Sequence, residues 1–179
     1  MKNDDLIIKY AHHFSVTECG QLSRDSTPYP MNAKAKMGAG FDYIGGFGYK
    51  VFSFRSSLDL KRTLIRSHRV IFYIRHGYLP ECIDHVNRDP ADNSIKNLRS
   101  ATLSQNNMNR RSAKNSSSKF LGVSWSKTAK KWQTLMCVNG RDRYLGLFTS
   151  ETEAAKAYNT AAAKHHGEFV NLNIIPGNE

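Results

Sequence analysis

The stretch Asp84-His85-Val86-Asn87-Arg88-Asp89-Pro90-Ala91-Asp92-Asn93-Ser94-Ile95-Lys96-Asn97-Leu98-Arg99 decides how this chain is read. It sets an acid beside a histidine, continues through a polar run holding Pro90 and Asn93, and closes on Asn-Leu-Arg. Ile83 to Val86 reads as a short strand, Asn87 to Ser94 as a turn-rich loop, and Leu98 to Ala101 as a second strand. Thr102-Leu103-Ser104-Gln105 matches a capping box, so a helix is expected from about Leu103 to about Arg111. Strand, loop, strand and helix follow one another in under thirty residues, a ββα unit. Successive strand residues point to opposite faces, but a short, twisted strand running into a loop relaxes that separation.

The chemistry of those side chains is specific. One carboxylate oxygen from Asp84 and one amide oxygen from Asn106 make a hard shell suited to Mg²⁺, or to another divalent cation such as Mn²⁺. His85, beside the carboxylate but not a ligand, can take a proton from an attacking water, because imidazole changes charge near neutrality. Asn97 can hydrogen-bond across to fix the histidine. Asp89, Asp92 and Asn93 lack the glycine and terminal glutamate of a calcium loop.

Upstream, Ser67 to Arg75 reads as a helix with Ser67 a candidate cap and Gly77 a stop. Val70, Ile71 and Ile74 give it one apolar face, and Leu79-Pro80-Glu81 breaks it. His68 reads as a packed helix residue. Residues 1 to about 66 read as strands and turns, punctuated by Gly38-Ala39-Gly40, Gly45-Gly46 and Gly48, with Tyr49 to Arg55 the best strand.

Downstream, Ser112 to Ser118 is a polar linker. Phe120 to Trp125, Trp132 to Val138 and Arg143 to Phe148 are three strand-like runs, the last two joined by Asn139-Gly140, a strong hairpin signal. Ser150-x-x-Glu153 opens an Ala-rich helix that ends before Gly167. Ala154, Ala155, Tyr158, Ala161 and Ala162 give that helix a narrow face that can lie close on a sheet. By strand alternation Val123, Leu145 and Phe148 face the helix, leaving Ser124, Ser126 and Tyr144 open. Trp132 reads as a core aromatic.

Composition narrows the partner. The chain has 179 residues, a formal charge of +11 and a sequence pI near 9.7, enough for one ordinary core or two small ones and favouring an anionic polymer. Arg110, Arg111, Lys114, Lys119, Lys127, Lys130, Lys131, Arg141 and Arg143 face one acid, Asp142, between positions 110 and 143. That concentration is an electrostatic footprint. Cys19, Cys82 and Cys137 are odd in number and far apart, so neither a disulfide framework nor a structural zinc site is expected, and a reducing compartment fits. No apolar run reaches the ~18 residues that span a bilayer, and no signal peptide is expected. His12-His13 and His165-His166 read as solvent or phosphate contacts.

Two resemblances follow from these residues. Asp84 to Arg99, with Ser104-Gln105-Asn106-Asn107-Met108-Asn109-Arg110 and the upstream His68-Arg69-Val70, resembles the HNH endonucleases of the phage and intron type. That resemblance implies a ββα-metal (His-Me finger) fold and a divalent ion held by Asp84 and Asn106. It also implies His85 as general base and Asn97 as the central asparagine bracing the motif. Asn106 stands where the eponymous pattern has histidine. Residues 118–172 resemble the plant APETALA-type (AP-two, ethylene-response-factor) DNA-binding domain. The match lies on Lys119-Phe120-Leu121-Gly122-Val123, Lys131-Trp132, Tyr144-Leu145-Gly146-Leu147-Phe148, Glu153 to Ala162, Gly167 and Asn171. It implies an open sheet face in the DNA major groove. The plant pattern carries arginines where this chain has Ser124 and Ser126, so the plant target does not transfer.

The chain is therefore expected to be α+β, a ββα-metal nuclease unit plus a three-stranded antiparallel sheet on one helix. Its expected parts are a β-rich region to residue 66, a catalytic unit over 67–111, a linker over 112–118, a DNA-binding module over 119–172 and a short tail. The expected function is a metal-dependent homing-type DNA endonuclease acting on double-stranded DNA, with no membrane and no obligate protein partner, inside a bacterial or phage-infected cell. Contacts to DNA are expected from Arg110, Arg111, Lys119, Ser124, Ser126, Lys127, Lys130, Lys131, Arg141, Arg143 and Tyr144, with lysines mostly on phosphates. The alternatives are a non-catalytic DNA-binding protein that keeps the ββα scaffold, an RNA-binding protein, or a sheet module that contacts protein.

Overall fold

The computed structural model describes residues 3–24, 42–55, 62–113 and 115–176. The expected Gly38-Ala39-Gly40 turn lies outside the described residues. The fold is α+β, with several small antiparallel sheets. By contact, the chain divides into two compact units, Met1–Ser100 and Ala101–Glu179.

The first unit opens on a helix, α1 (Asn3–Tyr10), where the sequence reads as strands and turns. Two helical turns are marginal alone and depend on a packed face. Here Leu6, Ile7 and Tyr10 bury that face, and Arg69 grips Asp4 through Nε and Nη2 at 3.0 and 2.8 Å. A hairpin follows, β1 (Phe14–Val16) against β2 (Leu22–Arg24). A three-stranded antiparallel sheet follows, of β3 (Tyr43–Ile44), β4 (Lys50–Arg55) and β5 (Arg62–Arg66), with the glycines at 45, 46 and 48 turning β3 into β4. Helix α2 (Ser67–His76) starts directly after β5 and stops at Gly77, whose left-handed φ of 76° ends it as expected. Ser67 is the first helical residue and the cap position is Arg66, so the serine does not cap the helix. The hairpin β6 (Cys82–His85) and β7 (Leu98–Ala101) completes the unit. Val70, Ile71 and Phe72 of α2 form the centre of its core, with Leu22, Phe52, Ile65, Ile83 and Leu98 around them. Each such side chain contributes roughly 1.5–3 kcal/mol when fully buried.

The second unit begins with α3 (Leu103–Met108). Its capping box is complete: Gln105 N donates to Thr102 Oγ1 and Thr102 N donates to Gln105 Oε1, at 3.2 and 2.8 Å. The helix ends at Met108, a turn earlier than the sequence indicates, with Asn109 as its C-cap. Strands β8 (Val123–Ser126), β9 (Lys131–Val138) and β10 (Arg141–Phe148) form an antiparallel sheet with β9 in the middle. Asn139 and Gly140 both take positive φ, 52° and 73°, as a two-residue hairpin requires. Helix α4 (Glu151–His165) is capped by Ser150, whose Oγ accepts from Thr152 N and Glu153 N.

The α4 face packs as its pattern indicates. Val123 and Phe148 meet Ala154 and Ala155, while Leu145 joins Met136, Tyr158 and Ala162. Trp132 packs against the first of these clusters. Gly122 has φ +78°, and a Cβ there would fall 2.2 Å from the Tyr158 ring, so helix and sheet close together over a position only glycine fills. The three cysteines are free, and among the described residues no helix is long and apolar enough to cross a membrane.

Candidate active site

The loop between β6 and β7 is built around one buried amide. Asn97 is 6% exposed. Its Oδ1 accepts from Asn87 N at 2.9 Å, and its Nδ2 donates to Asn87 Oδ1 at 3.0 Å and to Asp92 O at 2.7 Å. Val86 N donates to Asn97 O at 2.9 Å, closing the loop at its base. Within it, Asp89, Ala91 and Ser94 each donate a backbone N–H to a side-chain oxygen two residues back, the Asx-turn habit of Asn and Asp. Hydrogen bonds from Ser94, then Asn87, hold the Asp92 carboxyl below the usual carboxylate range. A long polar loop thereby becomes a fixed object.

Asp84 and His85 leave β6 in opposite directions, and both are buried. Asp84 is met by Arg99 on β7, whose Nε and Nη2 lie 2.8 and 2.7 Å from Oδ2. A carboxylate only 4% exposed needs that cation: removing one partner of a buried pair typically costs about 3–5 kcal/mol. His85 enters a different setting. Its Nε2 stands 3.1 Å from Asn93 Oδ1, and Asn93 is 1% exposed. With a carbonyl oxygen facing it, Nε2 carries the proton and Nδ1 is the basic nitrogen. The Asn97 hydrogen bonds named above go to the loop, while Asn93 faces the imidazole.

Aromatic rings wall the histidine. The His68 ring meets His85 edge-on at 5.1 Å between centroids, and Tyr49 lies 5.2 Å from His68 and 5.8 Å from His85. The Arg66 guanidinium sits 4.8 Å over the Tyr49 ring. Burial, followed by the charges of His85, Arg66 and Arg69, pushes the His68 imidazole down to about 3, so it is neutral near pH 7. His68 is a packed core residue, as its helix position indicates. From the far side the β1–β2 turn presses on the loop: a Cβ at Gly20 (φ +75°) would lie 1.9 Å from Asn93 O, and Ile95 N donates to Glu18 O at 3.3 Å.

Sequence reading passed over Asn93 and Arg99 as site residues. Asn93 sits among loop residues whose roles depend on how the loop closes. Arg99 carried a usable signal, being on the strand hydrogen-bonded to the one that bears Asp84. Asn106, half-buried on α3, belongs to the second unit.

A divalent ion can be tested against this donor set. Among the described residues no three His, Cys, Asp or Glu side chains gather, so there is no protein-only cage. A single buried carboxylate such as Asp84 suits instead a hard ion that keeps most of its waters.

On the second unit, cross-strand pairing defines a face turned away from α4. Ser124 pairs with Gln133, which pairs with Leu147, while Ser126 pairs with Lys131 and Leu135 with Tyr144. These alternate with Val123, Trp132 and Met136, which pack beneath. Tyr144 is 57% exposed on this face. Lys127 and Lys130 lie in the β8–β9 turn. Arg141 and Arg143 pair with Val138 and Met136, so they leave β10 on the helix side and are exposed there. Arg110 and Arg111 are exposed after α3, and Lys119 lies over the Phe120 ring at 5.2 Å.

The HNH endonuclease family model matches residues 66–108. This segment is an HNH endonuclease domain. It runs from the start of α2 through Asp84, His85 and Asn97 to the end of α3. A protein of Acanthamoeba polyphaga mimivirus described as an uncharacterized HNH endonuclease, L560, is 32% identical over 136 residues, covering 74% of this chain and 66% of its own. Protein 3.8 of Escherichia phage T7 is 30% identical over 78 residues, covering 42% and 64%. The chain thus spans just under two thirds of the length of these two relatives. An AP2-like ethylene-responsive transcription factor of Arabidopsis thaliana, TOE2, is 32% identical over 68 residues, covering 38% of this chain and 14% of its own. No solved structure is significantly similar.

The hydrogen bond to Asn93 sets one tautomer. Nitrogen-15 chemical shifts of His85 in the full chain should report Nε2–H in the neutral ring, and Asn93→Ala should give a mixture. A neutral Nδ1–H ring in the unmodified chain would contradict this assignment.

Proposed function

We propose that this chain is a metal-dependent, homing-type DNA endonuclease that hydrolyses phosphodiester bonds in double-stranded DNA at sites chosen by its carboxy-terminal module. The observation that carries the reading is the buried Asp84–His85 pair at the mouth of a locked loop, inside an HNH domain. The His-Me finger assignment of β6, β7 and α3 rests on the sequence resemblance and the order of those elements.

Asp84 and Asn106 are the proposed ligands of one divalent ion, Mg²⁺ or Mn²⁺. An ion held there would supply positive charge to the scissile phosphate and the departing oxygen. The chain's own residues do the rest. His85 accepts the proton of the attacking water at Nδ1. Asn93 holds Nε2–H, so the ring does not turn away, and it stabilises the imidazolium that forms. Asn97 keeps the loop that carries Asn93 closed. Arg99 fixes the Asp84 carboxylate through Oδ2. His68 and Tyr49 exclude water from the ring's far side, which strengthens each of these polar contacts. The products would be a 5′-phosphate and a 3′-hydroxyl.

The second unit is the proposed DNA grip. Ser124, Ser126, Lys131 and Tyr144 share or border the open sheet face, of a size that the major groove accepts. Lys127 and Lys130 flank it from the turn. Arg110, Arg111, Lys119, Arg141 and Arg143 reach phosphates from outside that face, where they position the protein without reading sequence.

Supercoiled plasmid incubated with the chain should be nicked or cut with Mg²⁺ or Mn²⁺ and left intact with EDTA. His85→Ala should lower the rate by about 10²–10⁴-fold. Intact plasmid across several divalent ions, with DNA binding retained, would leave a non-catalytic DNA-binding protein instead. For the module, Lys131→Ala should reduce the log–log salt slope of DNA binding by about 0.9, one phosphate contact's worth. An unchanged slope and affinity would remove that face from DNA recognition.

A further inference from the structure

We infer that the carboxy-terminal module is also the seat of the helix that carries Asn106, and that Asn171 is a positioning residue for the metal site. This inference rests on the reading of Asn106 as a ligand. It goes beyond that reading by giving the DNA-binding module a second duty.

Three observations within the second unit point the same way. First, Asn171 is 9% exposed, and its Nδ2 donates to Arg110 O at 2.6 Å, tying the chain just after α3 to the far end of the module. Second, α3 ends on buried residues: Met108 is 9% and Asn109 5% exposed. Asn107 and Met108 wall a cavity of about 250 Å³ together with Leu121, Met136 and Tyr158 of the module. Third, the segment bearing Asn171 is itself anchored. Asn173 Oδ1 accepts from Leu121 N at 2.6 Å, and Asn173 Nδ2 donates to Leu121 O at 3.1 Å. Asn159 on α4 closes the other side, donating to Asn173 O at 2.8 Å and accepting from Asn173 N at 2.7 Å. Two sets of hydrogen bonds, joined by the backbone between Asn173 and Asn171, thus link α4 and Leu121 to Arg110, just after α3.

A six-residue helix cannot hold its own orientation. Its start is fixed by the Thr102 box and its end by Asn171 and the packing of Met108. Asn106 stands between these two anchors. Groups that support a metal ligand from behind matter nearly as much as the ligand, typically 10–100-fold in affinity or activity when removed. The module therefore does more than grip DNA.

The test uses the full chain. Asn171→Asp keeps the shape but turns a donor into a carboxylate facing a carbonyl, and Asn171→Ser is a smaller perturbation, to be read if the aspartate variant does not fold. Plasmid nicking is measured against Mg²⁺ concentration, and DNA affinity is measured in EDTA. The variant should raise the half-saturating Mg²⁺ concentration by about 10-fold or more, with DNA affinity within about twofold and the rate recovering at high Mg²⁺. Unchanged Mg²⁺ dependence, or a rate loss accounted for by weaker DNA binding, overturns the inference. Asn106→Ala is measured alongside. If it leaves Mg²⁺ dependence untouched, the ligand reading itself fails. If it abolishes cleavage while Asn171→Asp and Asn171→Ser behave as the unmodified chain, only the role of Asn171 fails.

Discussion

One buried amide makes the candidate site. A polar loop between two short strands has few apolar side chains to hold it, Ile95 being the one that packs on the core, and its backbone groups would otherwise turn to water. Asn97 supplies three hydrogen bonds from inside the loop, and Val86 closes its base. Fixing the loop fixes Asn93, and Asn93 fixes the nitrogen on which His85 carries its proton. The glycine at position 20 lets the neighbouring hairpin lie against Asn93 with no side chain between. The loop is thus held from within by an amide and from outside by backbone contact.

Burial then sorts the charges. Asp84 keeps its negative charge out of water because Arg99 pairs with it. Burial, with the charges of His85, Arg66 and Arg69 nearby, keeps His68 neutral near pH 7. Its effect on stability has a definite sign. Its folded value lies below the ordinary 6.5, so the unfolded chain binds more protons between that value and about pH 3. The contribution is present above about pH 6.5 and is lost as pH falls through that window. The site therefore combines one paired ion with one neutral ring, leaving His85 as the histidine beside the carboxylate.

Local signals were legible where they act alone. The Thr102 box, the Asn139-Gly140 turn, the Gly77 stop and the small-residue face of α4 each needed few neighbours, and each appears in the structure. What depends on distant partners was not legible. Helix α1 exists because α2 covers its apolar face and Arg69 takes Asp4, 65 residues away. The early end of α3 follows from its seat on the module, where Asn171 meets Arg110 from 61 residues further on. Asn93 and Asn97 are equivalent loop asparagines in the sequence, and only the closed path of the loop turns one toward the imidazole and the other into the loop. The exit of Arg141 and Arg143 on the helix side follows from the β9–β10 register, which the hairpin turn and the buried Met136 set together.

We propose His85 as the proton acceptor of a phosphodiesterase centre, and chemical rescue tests that role. Single-turnover cleavage of plasmid by His85→Gly should be near zero and should rise with added imidazole, which can occupy the space the side chain leaves. Cleavage by His85→Gly at the unmodified rate, or a dead variant that no imidazole concentration restores while Mg²⁺ and DNA still bind, would contradict it.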